Sequence, residues 1–128
     1  MSDFKWLSTE AVLAMHARQL AEHGGGTGVR DPGLLDSALQ RPVNKTTYGE
    51  PDLFDLAAAY AYGIARNHPF VDGNKRTALV ASRTFLIING FQITASQEDR
   101  LTTFLKLAEG NLTEDELSAW FRKYAKAL

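Results

Sequence analysis

The sequence contains no cysteine at all and only four prolines among its 128 residues. The lack of cysteine excludes disulfide bonds and thiolate metal sites. It also fits the reducing cytoplasm, which is the localisation that we expect. A chain of this length can bury a hydrophobic core without covalent cross-links, so we expect one domain that covers residues 1–128.

Long hydrophobic runs are also missing. Arg66, Arg83 and Asn89 interrupt the longest apolar stretches before they reach the roughly 20 residues that a membrane-spanning helix needs. The start of the chain, from Met1 to Trp6, lacks the apolar segment of a secretory signal peptide. The formal net charge is −1, which gives no general attraction to nucleic acid. We therefore expect neither membrane nor direct nucleic-acid binding, and any basic site must be local.

Helical periodicity and capping residues predict a compact all-α fold of about six helices. The predicted helices begin, in chain order, near Ser8, Pro32, Asp52, Asn74, Ser96 and Thr113. The last two starts are typical of capping boxes, because an acidic residue follows three positions later. The fourth helix, residues 74–89, is apolar nearly all round, which predicts that it is the buried central helix.

Residues 42–51 fit this helical pattern poorly. The second helix is expected to end before Pro42, since proline removes a helical hydrogen bond. Threonine and tyrosine favour extended chain, and Gly49 and Pro51 punctuate the segment. The segment is therefore predicted to form a small hairpin or flap, or else a plain surface connection.

The most informative segment is residues 66–79, Arg-Asn-His-Pro-Phe-Val-Asp-Gly-Asn-Lys-Arg-Thr-Ala-Leu. It gathers an imidazole, a carboxylate, an amide and cations on a loop that opens the fourth helix. The first backbone N–H groups of a helix have no internal partner and the helix dipole is positive there, so phosphate is favoured at residues 73–75. A phosphate site beside a base and a carboxylate indicates phosphoryl or nucleotidyl transfer.

Each charged side chain of this segment has a chemical role and a plain structural alternative. His68 could accept a proton from a hydroxyl near neutral pH, or it could cap a helix or pack in the core. Asp72 could hold Mg²⁺ beside phosphates, or it could only stabilise the start of the helix. Lys75 and Arg76 could supply charge for a triphosphate, or they could form a solvated helix face.

Three further residues complete the candidate site. Gly73 allows the backbone to approach a phosphate closely, and the Asn74 amide can orient either the loop or a phosphate. Arg66 could reach the phosphates from the end of the third helix, or it could complement the dipole of that helix. His16 and His23 lie outside the segment, and we interpret them as core or capping histidines.

Residues 68–76, His-Pro-Phe-Val-Asp-Gly-Asn-Lys-Arg, resemble the signature of the Fic/Doc superfamily, and specifically of its Doc (death-on-curing) toxin branch. Other short stretches agree, and the similarity covers roughly residues 8–122. The resemblance implies the all-α Fic/Doc fold. It also implies a toxin of a toxin–antitoxin pair, a protein kinase that uses ATP and Mg²⁺. Its substrate would be a threonine or serine hydroxyl of elongation factor Tu, and its action would arrest translation.

The resemblance also implies roles for individual residues. The catalytic residues would be His68, Asp72 and Lys75, with His68 as the general base and Asp72 as the magnesium ligand. The residues implied to bind the ATP phosphates are Arg66, Gly73, Asn74, Lys75 and Arg76. The target protein would dock on the flap as an added strand, and the residues implied for this docking are Thr46, Thr47 and Tyr48.

Two positions separate the chain from the AMP-transferring members of the superfamily. Lys75 stands where those members have glycine, and Leu79 stands where they have a second arginine. These differences favour a kinase, while AMP transfer on the same scaffold and a non-catalytic binding module are the alternatives. The chain lacks the glutamate segment that Fic proteins use for self-inhibition, since Pro51 follows the nearest candidate, residues 46–50. We therefore expect an antitoxin protein to inhibit in trans through a C-terminal helix.

Overall fold

The computed structural model describes residues 3–128 and consists mainly of six α-helices. The helices are α1 Thr9–His23, α2 Pro32–Tyr48, α3 Leu53–Asn67, α4 Asn74–Ile88, α5 Gln97–Ala108 and α6 Glu114–Tyr124. Two short strands, β1 Phe91–Ile93 and β2 Ala125–Ala127, pair in antiparallel fashion. The predicted all-α fold is confirmed. None of the helices within the described residues has both the length and the apolar character required to cross a membrane.

Side-chain caps fix where five of these helices begin. Each capping side chain accepts a hydrogen bond from the backbone N–H three residues later, and the caps are Ser8, Asp31, Asp52, Ser96 and Thr113. These bonds satisfy backbone donors that the helix itself leaves free. The predicted capping box of Thr113 and Glu116 is present. At Ser96 only the serine side of the predicted box forms, because the Asp99 carboxylate accepts from Thr103 instead.

The central helix is α3, so the prediction that α4 has this position is wrong. Helix α3 packs against α2, α4, α5 and α6. At the end of α4, Ile87 and Ile88 are 46% and 36% exposed. The alanines of α3 allow neighbouring helices to approach closely on several sides, as does Gly63. A Cβ atom added to Gly63 would lie 3.0 Å from the Cα atom of Ala38 in α2.

Helix α2 continues through Pro42 to Tyr48, so the predicted helix end before Pro42 and the predicted flap are both wrong. Pro42 is buried, and the packing of this face of α2 offsets the helical hydrogen bond that proline cannot donate. Arg41 and Lys45, one helical turn apart, both form ion pairs with Glu114 of α6. Tertiary contacts on both sides of the proline therefore keep the helix continuous.

Two loops face each other at the N-terminal end of α4. One joins α1 to α2, and the other, residues 68–73, joins α3 to α4. Val29 and Phe70 form an isolated antiparallel bridge. The Val71 N–H donates to the Gly28 carbonyl oxygen at 3.1 Å. The first loop therefore holds the second, which carries the candidate site.

Candidate active site

The loop between α3 and α4 opens into a cleft of about 410 Å³. The cleft lies between the start of α4 and the C-terminal half of α5. Its lining residues are His68, Val71, Asp72, Gly73, Asn74, Lys75, Arg76, Leu105 and Ala108. The structure thus brings together six of the predicted site residues in one concave surface.

His68 caps the C-terminal end of α3 in a left-handed backbone conformation, with φ 50° and ψ 55°. Its side chain is exposed and lines the cleft. The backbone oxygen of His68 accepts a hydrogen bond from Arg30 Nε at 2.7 Å. The imidazole is therefore open to solvent while its backbone is anchored.

The Asp72 carboxylate faces the glycine-rich loop that follows α1. Its Oδ1 atom accepts from the Gly73 N–H at 2.8 Å, and its Oδ2 atom accepts from the Gly26 N–H at 3.4 Å. The approach is close, since a Cβ atom added to Gly25 would lie 2.7 Å from Asp72 Oδ2. Each carboxylate oxygen has two lone pairs, so acceptor capacity remains for a cation.

The oxygen donors at Asp72 fit Mg²⁺. Within residues 3–128 no group of three or more histidine, cysteine or acidic side chains could hold a metal on its own. Mg²⁺ commonly binds through one or two carboxylates and takes its remaining ligands from phosphate and water. A single exposed carboxylate beside a phosphate site fits that pattern.

Helix α4 begins without a side-chain cap, unlike the other five helices of the described chain. Its N-cap residue is Gly73, which adopts φ 78°. The first-turn N–H groups of α4 therefore lack a side-chain acceptor, and residues 73–76 all line the cleft. Uncapped N–H groups at the positive end of a helix dipole form an anion-binding site.

Asn74 orients the loop, which is one of the two roles predicted for it. Its Oδ1 atom accepts from the Phe70 N–H and its Nδ2 atom donates to the Phe70 carbonyl oxygen, both at 3.0 Å. The side chain is buried, with 8% exposure. Asn74 thereby fixes the spacing between the loop and the first turn of α4.

Lys75 and Arg76 add positive charge to the same cleft. Lys75 is half-buried and Arg76 is exposed. Neither forms an ion pair with an acidic side chain of the described residues. Their charges are therefore available to an anion in the cleft.

Arg66 does not line the cleft, although it lies near one of its walls. Its Nη1 atom donates to the Ala108 carbonyl oxygen at 3.4 Å, at the C-terminal end of α5. The guanidinium group also lies close to Gly110, where an added Cβ atom would be 2.9 Å from Nη1. In this arrangement Arg66 joins α3 to the end of α5.

The residues predicted to dock the target lie far from the cleft. Thr46, Thr47 and Tyr48 form the last turn of α2, whose other end approaches the site loop through Asp31. A helix of 17 residues is about 25 Å long. Because these residues are helical, they offer no extended segment for strand addition. Thr46 instead lines a separate, larger cleft beside Trp6.

Two residues outside the predicted site contact the site loop. One is Arg30, which binds the His68 backbone. The other is His16 of α1, which was interpreted only as a core or capping histidine. His16 is indeed buried, at 5% exposure, and its ring stacks on Phe70 with centroids 3.8 Å apart. Its Nε2 atom lies 2.8 Å from the Asp72 carbonyl oxygen. Because a carbonyl oxygen can only accept, Nε2 carries the hydrogen and donates it.

We expect the His16→Phe variant to be less stable than the wild type by about 1 kcal/mol. Phenylalanine can keep the ring stacking on Phe70, but it leaves the Asp72 carbonyl oxygen without its donor. The free energy of unfolding, measured with urea, checks this expectation. His23→Phe is the matched control, since His23 is exposed at the end of α1. Equal stability of the His16→Phe protein and the wild type would contradict the role of the hydrogen bond.

Comparison with known proteins shows the family to which the chain is similar. The sequence model of the Fic/DOC family matches residues 6–86. The protein named Toxin Doc from Mycolicibacterium smegmatis is 45% identical over 109 residues, which cover 81% of this chain and 83% of that protein. The protein named Protein kinase doc from Escherichia phage P1 is 39% identical over 93 residues, which cover 72% of this chain and 74% of that protein.

The matched region contains the elements that build the cleft floor. It runs from before α1 almost to the end of α4 and includes both facing loops. The identity to two curated relatives extends over most of the length of each chain. On these grounds the chain belongs to the Fic/DOC family.

Proposed function

We propose that this protein is a Doc-like toxin of a toxin–antitoxin pair and acts as a protein kinase. It would transfer the γ-phosphate of ATP to a threonine or serine hydroxyl of elongation factor Tu, which acts in the cytoplasm. One observation carries the proposal. The uncapped N-terminus of α4 shares a cleft with an exposed imidazole, an exposed carboxylate and two cations that form no ion pair within the described residues. The name of the phage P1 relative, Protein kinase doc, supports the reaction type.

In the proposed reaction, His68 is the general base. Its neutral imidazole takes the proton of the target hydroxyl as the hydroxyl oxygen forms a bond to the γ-phosphorus atom. The bond between that phosphorus and the oxygen bridging to the β-phosphate breaks, and ADP leaves with the electron pair. His68 is exposed at the C-terminal end of α3, so a hydroxyl group of another protein can reach its side chain.

The remaining residues of the cleft would hold and neutralise the triphosphate. The first-turn N–H groups of α4 and the charges of Lys75 and Arg76 offset the negative charge on the phosphates. Mg²⁺, when bound, would supply further neutralisation of the phosphate charge, and Asp72 is the residue that would hold it. His16, Asn74 and the loop after α1 keep these groups in place. Arg66 would act on the phosphates only after leaving its contact with α5.

The test is transfer of labelled phosphate in a mixture that contains the target. Purified protein is incubated with ATP labelled at the γ-phosphate, with magnesium and with purified elongation factor Tu. We expect label on a threonine or serine of elongation factor Tu, located by mass spectrometry. The same incubation with a cell lysate shows whether another protein is the target. Absence of label from every protein in both mixtures would contradict the kinase proposal.

Inhibition in trans is also part of the proposal. We expect cells to tolerate expression of the wild-type protein only when a small neighbouring antitoxin protein is expressed with it. A disordered C-terminal segment of that partner would fold as an amphipathic helix on the domain. Viable cell counts after induction, with and without the partner, measure the effect. Harmless accumulation of the wild-type protein alone would contradict the toxin assignment.

A further inference from the structure

The backbone of His68 has a left-handed conformation that is uncommon for residues other than glycine. Its φ of 50° is the one positive value at a non-glycine residue within the described chain. Side chains with a Cβ atom are disfavoured in this left-handed region. Such a conformation persists at functional sites only where the surrounding structure enforces it. The contacts around His68 must therefore supply the enforcement.

Arg30 supplies contacts to three consecutive carbonyl oxygens around His68. Its Nη2 atom donates to the Asn67 carbonyl oxygen at 2.9 Å, and its Nε atom donates to the His68 carbonyl oxygen at 2.7 Å. Its backbone N–H donates to the Pro69 carbonyl oxygen at 2.7 Å. A single residue of the facing loop thus binds the whole turn that ends α3.

The chemistry of these contacts explains why an arginine suits the position. The last carbonyl oxygens of a helix lack internal donors, and they lie at the negative end of the helix dipole. A guanidinium group presents several N–H donors in one rigid plane, so Arg30 can bind two neighbouring carbonyl oxygens at once. Arg30 forms no ion pair with an acidic side chain in the described part of the chain. Within the described residues its guanidinium group therefore contacts the carbonyl oxygens at the helix end and no carboxylate.

We propose that Arg30 is a positioning residue that holds His68 in its left-handed conformation and thereby aims the imidazole into the cleft. The expected effect of Arg30 on the rate of phosphate transfer rests on the proposed function. Its expected effect on the backbone conformation of His68 does not. Without the guanidinium group, two carbonyl oxygens lose their donors and His68 relaxes toward the negative φ values that histidine favours. That change moves the imidazole relative to the phosphates. A misplacement of about 1 Å can lower a reaction rate about 10²-fold.

The test compares three variants with the wild type. Arg30→Ala removes the guanidinium group, and Arg30→Lys keeps the charge but not the planar pair of donors. Arg18→Ala is the matched control, because Arg18 is exposed on α1 and its one ion pair among residues 3–128 is with Glu22. The first measurement is the pair of backbone ¹³Cα and ¹³Cβ chemical shifts of His68, which report its φ and ψ angles. The second is kcat and KM for ATP in transfer of γ-labelled phosphate.

We expect the His68 shifts to keep their left-handed values in Arg18→Ala and to move toward ordinary values in Arg30→Ala. We expect kcat of Arg30→Ala to fall about 10²-fold with little change in KM, since Arg30 does not line the cleft. The His68 shifts and the kcat of Arg30→Lys should lie between those of the wild type and those of Arg30→Ala. If Arg30→Ala does not fold, Arg30→Lys provides the test.

Two results separate the possible failures. Wild-type His68 shifts in the folded Arg30 variants would overturn the inference, whatever happens to kcat. If the wild-type protein transfers no label, the proposed kinase function fails, and the chemical shifts alone then decide whether Arg30 sets the His68 backbone.

Discussion

Replacing His68 with asparagine is expected to abolish growth arrest and to lower the rate of phosphate transfer about 10²–10⁴-fold, which is the usual contribution of general base catalysis. Asparagine has no group that accepts a proton near neutral pH. It does tolerate the left-handed backbone better than alanine, so the loop geometry at φ 50° should survive. The loss of rate then reports the imidazole rather than a disturbed loop.

The measurement is growth after induction, at matched expression, together with transfer of γ-labelled phosphate by the purified variants. His23→Asn is the control, because it makes the same chemical change at an exposed histidine outside the cleft. We expect His23→Asn to arrest growth as the wild type does. Equal toxicity of His68→Asn and the wild type would refute the assignment of His68 as the base.

The grouping of the site residues could be predicted from the sequence because it is local. Residues 68–76 follow one another on a loop that opens a helix, so their proximity needs no knowledge of the fold. The contacts that shape this loop are not local. Arg30 precedes His68 by 38 positions, and His16 precedes Asp72 by 56 positions. Neither Arg30 nor His16 belongs to a sequence motif that would indicate its partner. These contacts become evident only from the tertiary structure.

The errors in the predicted fold also come from tertiary contacts. A proline normally ends a helix. In α2, two ion pairs to Glu114 and the burial of Pro42 keep the helix continuous. Helix α3 is on average more apolar than α4, and its alanines allow neighbouring helices to pack closely around it. The run of large aliphatic residues in α4 therefore does not indicate the central position. Strands β1 and β2 contain three residues each, which is too short for an alternating pattern to be recognised.

The charges at the start of α4 predict which phosphate of ATP is transferred. We expect label from the γ-phosphate to appear on the target protein and label from the α-phosphate to remain in the nucleotide. The reason lies in the first turns of α4. Lys75 is half-buried beside the cleft and adds a charge where AMP-transferring members of the family have glycine. Leu79, one turn later, has no charge where those members have a second arginine.

The charges of α4 that line the cleft are therefore concentrated in its first turn, at Lys75 and Arg76, together with the uncapped N–H groups. A lysine at this point fills space that glycine would leave to the nucleotide, and its ammonium group attracts phosphate. The most highly charged end of the triphosphate should bind where these cations lie. That end carries the γ-phosphate. The γ-phosphate is therefore expected beside His68 and the first turn of α4, and not beside the second turn, which contains Leu79.

Parallel incubations with α-labelled and γ-labelled ATP measure the direction of transfer, with His68→Asn as the inactive control for both labels. Each incubation uses the same purified elongation factor Tu and the same lysate, so that only the position of the label differs. Transfer of the α label in place of the γ label would make the protein an AMP transferase. In that case the distribution of charge along α4 would not determine the orientation of the nucleotide. The triphosphate would then lie past Lys75 in the reverse direction, with its α-phosphate beside His68.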